Sequence, residues 1–163
     1  MLARPASVGA MLLNQVTFAT TIASKAVRCR LAAPASTLVD FAARRTHGLE
    51  AALTVARASV LAGFDATSYV QAAREFGLAA VGTMAHSFVT SFRSEIDSFR
   101  AFAESFPEGC TLLIDTYDTI EGARKAIVVA GELKRHGHRL LGVRLDSGDL
   151  ADLARRVRAM LDD

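Results

Sequence analysis

Apolar residues recur at three- and four-residue spacings through residues 10–32, AMLLNQVTFATTIASKAVRCRLA, where Leu12, Val16, Ala19, Ala23 and Val27 fall on one face and no Gly or Pro interrupts. That spacing predicts an amphipathic or largely buried helix. Past residue 36 the pattern changes to short apolar runs bounded by turn residues: TLVDF (37–41), SVLAGF (59–64), LAAVG (78–82), TLLID (111–115) and LLGVRL (140–145). Runs of this length with little polar alternation read as strands buried on both faces. Helical spacing returns between and after them, as in TIEGARKAIVVAGELKRHG (119–137), with basic residues and Gly137 at its end, and GDLADLARRVRAMLDD (148–163), which Asp149 can cap.

Alternating strands and helices predict an α/β protein with a mostly parallel sheet. The strand starts lie 22, 19, 33 and 29 residues apart (37, 59, 78, 111, 140), long enough for right-handed crossovers in most cases. Each run is followed by polar groups: Arg44, then Asp65, then His86, then Asp115 and Asp118, then Asp146 and Asp149. Polar groups in succession at strand ends suit a β/α barrel, whose strand C-termini converge on one mouth. The expected architecture is therefore an incomplete parallel β/α barrel of about five βα units over residues 37–163, preceded by a helical remnant of an N-terminal region over 1–36. Five strands cannot close an eight-stranded barrel, so the reading expects a fragment, a split gene product or a truncated chain.

Composition narrows the class. The 163 residues are 51% apolar and 22% charged, with 19 basic against 17 acidic residues and a formal charge of +2. A single soluble globular domain fits these figures. No long basic block suggests a nucleic-acid or membrane footprint. Cys29 and Cys110 are far apart and outside any metal-binding spacing, which suits buried thiols in a reducing compartment. His47, His136 and His138 also lack metal-ligand spacing. No run reaches the length of a membrane span and the opening residues do not read as a signal peptide, so the expectation is a cytoplasmic protein.

The candidate chemistry lies in five stretches. DFAARRTHG (40–48) places Arg44 and Arg45 after Phe41; a guanidinium binds carboxylate or phosphate through two parallel hydrogen bonds, and Phe41 can stack on a flat ring. A solvated basic turn with a core Phe is the plainer alternative. LLIDTYDT and GVRLDSGDL each set two carboxylates three residues apart, Asp115/Asp118 and Asp146/Asp149. Asp118 and Asp149 read as helix caps. Asp115 and Asp146 suit either structure or the holding of a hydrated magnesium ion or ribose hydroxyls. Arg144 lies inside an apolar strand, so its guanidinium needs an anionic partner, either an internal Asp or a ligand carboxylate. Asp65, in GFDAT, reads as a cap of a helix starting near Thr67 or as a ligand acceptor. His86, in VGTMAHSFVTSF, read alone is a loop histidine.

Set side by side, LLNQVTFATTIASKAVR, DFAARRTHG, LAGFDATS, VGTMAHSFVTSF, LLIDTYDT and GVRLDSGDL resemble the nicotinate phosphoribosyltransferase family, in family order and over nearly the whole chain. The resemblance implies transfer of a phosphoribosyl group from phosphoribosyl pyrophosphate to nicotinate, giving nicotinate mononucleotide and pyrophosphate for NAD synthesis, coupled to ATP hydrolysis. It implies that His86 is transiently phosphorylated by ATP, and that Asp115 and Asp146 orient the ribose and its metal-bound pyrophosphate. It further implies substrate binding by Phe41, Arg44, Asp65, Thr83, Ser87 and Arg144. Magnesium or manganese is the implied metal, held through phosphates with Asp115 and Asp146 as the only candidate protein contacts, and a homodimer with a shared active site is the implied assembly.

The sequence departs from the family pattern at Ala42, where the family usually has Gly, and at Tyr69, where GFDATSN would be expected. The resemblance also implies segments not seen here: an N-terminal region that supplies a tyrosine to the partner subunit, and later strands whose glycine-rich loops grip the 5′-phosphate. Two other readings stand beside the enzyme. One is a non-catalytic remnant that keeps a ligand-binding or oligomerisation surface; the other is a relative acting on nicotinamide or quinolinate.

Overall fold

The expected first helix is present and longer than its apolar pattern: α1 runs Ala3–Ala32 in the computed structural model, which describes residues 3–162. Among the described side chains of α1 only Ala26 is buried, while Leu12, Val16 and Val27 are exposed, so from residue 8 on the helix is not largely buried and its covered stripe differs from the one the spacing picked out. By its contacts the chain divides into two compact units, Met1–Gly82 and Thr83–Asp163.

In the first unit α1 packs against α2 (Leu49–Leu61). A parallel three-stranded sheet joins β1 (Val39–Asp40), β2 (Ala66–Thr67) and β3 (Ala79–Ala80) in chain order. Val39 lies opposite Ala66, and Ala66 opposite Ala79. A 3-10 turn (Ala43–Arg45) and α2 connect β1 to β2, and α3 (Val70–Phe76) connects β2 to β3.

The second strand is where the sequence pattern misleads. SVLAGF (59–64) is not a strand: its first half is the last turn of α2, whose buried Ala52, Val55, Ala56 and Ser59 recur at helical spacing. Gly63, with φ +97°, ends the run in a conformation that favours glycine, and the strand follows at Ala66–Thr67. A two-residue strand is too short to show a period. Double-sided burial also fails for β3, whose Ala79 and Ala80 are exposed, and for β5, which is half-buried throughout.

The second unit contains α4 (His86–Thr90), α5 (Glu95–Ser105), β4 (Thr111–Leu113), α6 (Thr119–Arg135), β5 (Gly142–Arg144) and α7 (Leu150–Asp162). β4 and β5 pair in parallel, Thr111 opposite Gly142 and Leu113 opposite Arg144, with α6 as the crossover. Leu112, Leu113 and Ile114 are fully buried with Phe99, Val89 and Val129. Burying each of these large side chains stabilises the unit by roughly 1.5–3 kcal/mol.

Three of the four helices of this unit start at a side-chain cap. Ser94 accepts from Asp97 N, Asp118 from Glu121 N at 2.8 Å, and Asp149 from Asp152 N at 3.1 Å. Asp118 and Asp149 are thus the caps their spacing suggested. Gly122, in the first turn of α6, lets the helix lie directly on the end of β4: a Cβ there would sit 2.1 Å from the Ile114 carbonyl oxygen. Among the described residues no helix is long and apolar enough to cross a membrane.

Candidate active site

The β4 strand carries its apolar residues into the core and then releases Asp115 and Thr116 at its C-terminal end. β5 does the same with Arg144, Asp146 and Ser147. The chain from Thr83 into α4 supplies Thr83 and His86. All of these belong to the second unit, and they form one connected polar group.

Asp115 is its centre. The side chain is 1% exposed. Its Oδ2 accepts from the Asp146 backbone N–H at 2.9 Å and from the Ser147 hydroxyl at 2.5 Å, while Oδ1 is buried with no hydrogen-bond partner. A buried carboxylate oxygen left without a donor is costly, so this oxygen is set up for a cation or a donor group brought by a ligand. It lies 3.9 Å from His86 Nε2, and Asp146 Oδ2 lies 3.6 Å from the same nitrogen. The other edge of the ring, Nδ1, is 3.1 Å from the Thr116 hydroxyl.

Arg144 has an internal carboxylate as one partner. Its Nη2 donates to Asp146 Oδ1 at 2.6 Å, and its Nη1 donates to Thr83 Oγ1 at 2.9 Å and to the Met84 carbonyl at 3.3 Å. The guanidinium thus ties the end of β5 to the chain that precedes α4. Ser87 is exposed beside His86. Two carboxylates, Asp115 and Asp146, accompany one guanidinium, an arrangement suited to stabilising positive charge nearby.

The first unit places its candidates differently. Phe41 is exposed just after β1, and Arg44 is exposed in the 3-10 turn. Behind them, buried Asp40 accepts from the Thr67 hydroxyl at 2.9 Å and from the Ala42 N–H at 2.9 Å, fixing the start of that turn. Asp65 is not with them. Because the strand is Ala66–Thr67, Asp65 precedes it, and the side chain accepts from Leu38 N and from Arg30 Nη2, each at 2.7 Å. Those bonds hold the Asp65 carboxyl below its ordinary range, the Leu38 N–H contributing most and Arg30 next. It does not cap α3 either, whose N-cap is Tyr69. The expectation of a cap at Asp65 rested on the misplaced strand.

Sequence reasoning did not single out Asp40, Thr67, Thr116 or Ser147. Each neighbours a singled-out residue or run, and a hydroxyl or carboxylate directly after an apolar strand was the available signal. Among the described residues no group of three or more His, Cys, Asp or Glu side chains is arranged to hold a metal.

Residues 36–162 match the model of the nicotinate phosphoribosyltransferase family. The chain is 50% identical over 152 residues to nicotinate phosphoribosyltransferase pncB2 of Mycobacterium tuberculosis, an alignment covering 92% of this chain and 32% of that protein. It is 43% identical over 155 residues to nicotinate phosphoribosyltransferase of Bacillus subtilis, covering 93% of this chain and 31% of that protein. The crystal structure of human nicotinic acid phosphoribosyltransferase superposes with a TM-score of 0.80 at 31% identity, over 88% of this chain and 38% of that one. The chain spans about one third of the length of the curated relatives it matches.

Proposed function

The chain belongs to the nicotinate phosphoribosyltransferase family, and on that premise we propose that it carries the phosphoryl-accepting and ribose-facing part of an enzyme that makes nicotinate mononucleotide from nicotinate and phosphoribosyl pyrophosphate. The observation that carries this reading is the unpartnered buried oxygen of Asp115, 3.9 Å from His86 Nε2, in a group that also contains Asp146 and Arg144.

In this reading the nicotinate ring nitrogen attacks the anomeric carbon of the ribose as the bond to pyrophosphate breaks. Positive charge develops on the ribose, and the carboxylates of Asp115 and Asp146 stabilise it. Arg144 and Thr83 hold the nicotinate carboxylate. Ser87 binds a substrate oxygen.

The donor set fits a hydrated magnesium ion. Asp115 offers a free carboxylate oxygen and Asp146 a second, hard ligands of the kind that hold magnesium together with substrate phosphates and water rather than in an all-protein cage. When bound there, the ion offsets the charge of the leaving pyrophosphate.

ATP enters through His86. A ring nitrogen attacks the γ-phosphorus, an N–P bond forms, the bond to the ADP oxygen breaks, and ADP leaves. The phosphohistidine carries about −1.5 to −2 charges, by analogy with other phosphorylated side chains, and would add to the negative charge that holds a cation beside Asp115 and Asp146.

The test is direct. Incubation with γ-labelled ATP should leave acid-labile label on the chain that His86→Ala abolishes, and a competition among nicotinate, nicotinamide and quinolinate should be won by nicotinate. Label that survives His86→Ala removes the phosphohistidine role. Nicotinate binding without nicotinate mononucleotide production points to a binding remnant instead.

A further inference from the structure

His86 opens the five-residue helix α4 with its side chain 43% exposed, so packing alone does not fix the ring. A half-turn about Cβ–Cγ exchanges Nδ1 with Cδ2 and Nε2 with Cε1. The two carboxylates on the far edge, at 3.6 and 3.9 Å, are beyond direct hydrogen-bond reach. Their attraction is Coulombic and weakly directional, and it chooses poorly between the two ring positions. Among the described residues the direct hydrogen bond on the ring is the one to Thr116, 3.1 Å from Nδ1.

Thr116 is itself well held. It follows Asp115, whose carboxylate is pinned by two donors, and it precedes Asp118, which caps α6. As a β-branched residue it has few side-chain rotamers.

We infer that Thr116 is the positioning residue of His86: its hydroxyl selects the ring position in which Nδ1 faces Thr116 and Nε2 faces Asp115 and Asp146. With the ring so placed, the carboxylates keep the ring proton on Nε2, and the Thr116 hydroxyl donates to the lone pair of Nδ1. The ring placement stands on this geometry alone. Its meaning for phosphoryl acceptance rests on the reading of His86 given above.

Nitrogen-15 NMR of the labelled full chain tests it, with the His86 ring signals assigned by their loss in His86→Ala. At alkaline pH the wild-type ring should show a protonated Nε2 and an unprotonated, hydrogen-bonded Nδ1. Thr116→Ser, which keeps the hydroxyl, should retain that pattern. Thr116→Val should shift the ratio of ring states by about two- to tenfold, the worth of one neutral hydrogen bond. A wild-type ring protonated on Nδ1 overturns the inference, whatever the fate of the valine variant, and so does a folded Thr116→Val chain with the wild-type pattern. A chain that shows the Nε2 proton yet takes no acid-labile phosphate from ATP keeps the positioning role and removes the phosphoryl acceptor.

Discussion

The Asp146 backbone N–H donates to Asp115 Oδ2 at 2.9 Å, joining the ends of β4 and β5 through one buried carboxylate. The Ser147 hydroxyl shares that oxygen. Asp115 therefore shapes the turn after β5 as well as facing His86. Asp115→Ala leaves both donors without their acceptor and should destabilise the chain by about 1–3 kcal/mol in urea unfolding. Asp115→Asn, which keeps a carbonyl oxygen, should retain most of that stability and, on the function proposed above, reduce phosphoribosyl transfer by roughly 10²-fold or more. An alanine variant as stable as wild type would show that the turn holds itself.

Two glycines of α6 should respond to alanine in opposite directions. At Gly122 a Cβ would fall 2.1 Å from the Ile114 carbonyl oxygen, a backbone atom that cannot swing away. Gly122→Ala should destabilise by about 1–3 kcal/mol, as overpacking does, and should displace Asp115, the next residue after Ile114. At Gly131 nothing lies within 4 Å, so Gly131→Ala should stabilise by up to about 1 kcal/mol through helix propensity. Thermal melts of the pair check both signs.

Acid should weaken the first unit through Asp65. Its carboxyl is depressed by the Leu38 N–H and by Arg30, so it stabilises the fold above the unfolded value, and that contribution is lost as pH falls through the folded value. Urea midpoints should decline below about pH 4, and Asp65→Asn should flatten the decline. Glu132, depressed by its hydrogen bond to Arg100, titrates in the same direction in the second unit. Glu132→Gln separates the two shares. Parallel pH curves for wild type and Asp65→Asn would remove the linkage.

The two thiols should differ in reactivity. Cys29 is exposed on α1, whereas Cys110 is fully buried and its thiol is pushed up by burial. The thiolate is the reactive form. Iodoacetamide should label Cys29 in the native chain and reach Cys110 only in denaturant, as read by mass spectrometry. Equal labelling of both under native conditions would contradict the burial of Cys110.

Much of the fold was legible because its signals are local. The start of α6 is written in Asp118 and Glu121, the end of that helix in Gly137, and β4 in an unbroken apolar run that becomes fully buried. SVLAGF was misread because an apolar run of that length suits a strand or a helix end equally, and only its packing as part of α2 decides between them. Asp65 went astray with it. For the site, the residue types and their places after strands were readable, as was the resemblance that grouped them.

What the sequence by itself determined was the caps of α6 and α7, the α/β alternation and the set of polar residues that follow the apolar runs, because each depends on neighbours within a few positions. Tertiary structure alone decided which of those residues meet. It gave Arg144 to Asp146 and Thr83, set Asp65 against Arg30 instead of at a strand C-terminus, and brought the Thr116 hydroxyl to the ring of His86. Such pairings join positions some thirty or more apart in the chain for Asp65 with Arg30, Thr116 with His86 and Arg144 with Thr83. They are chosen by strand register and helix packing, which no local pattern of residues records.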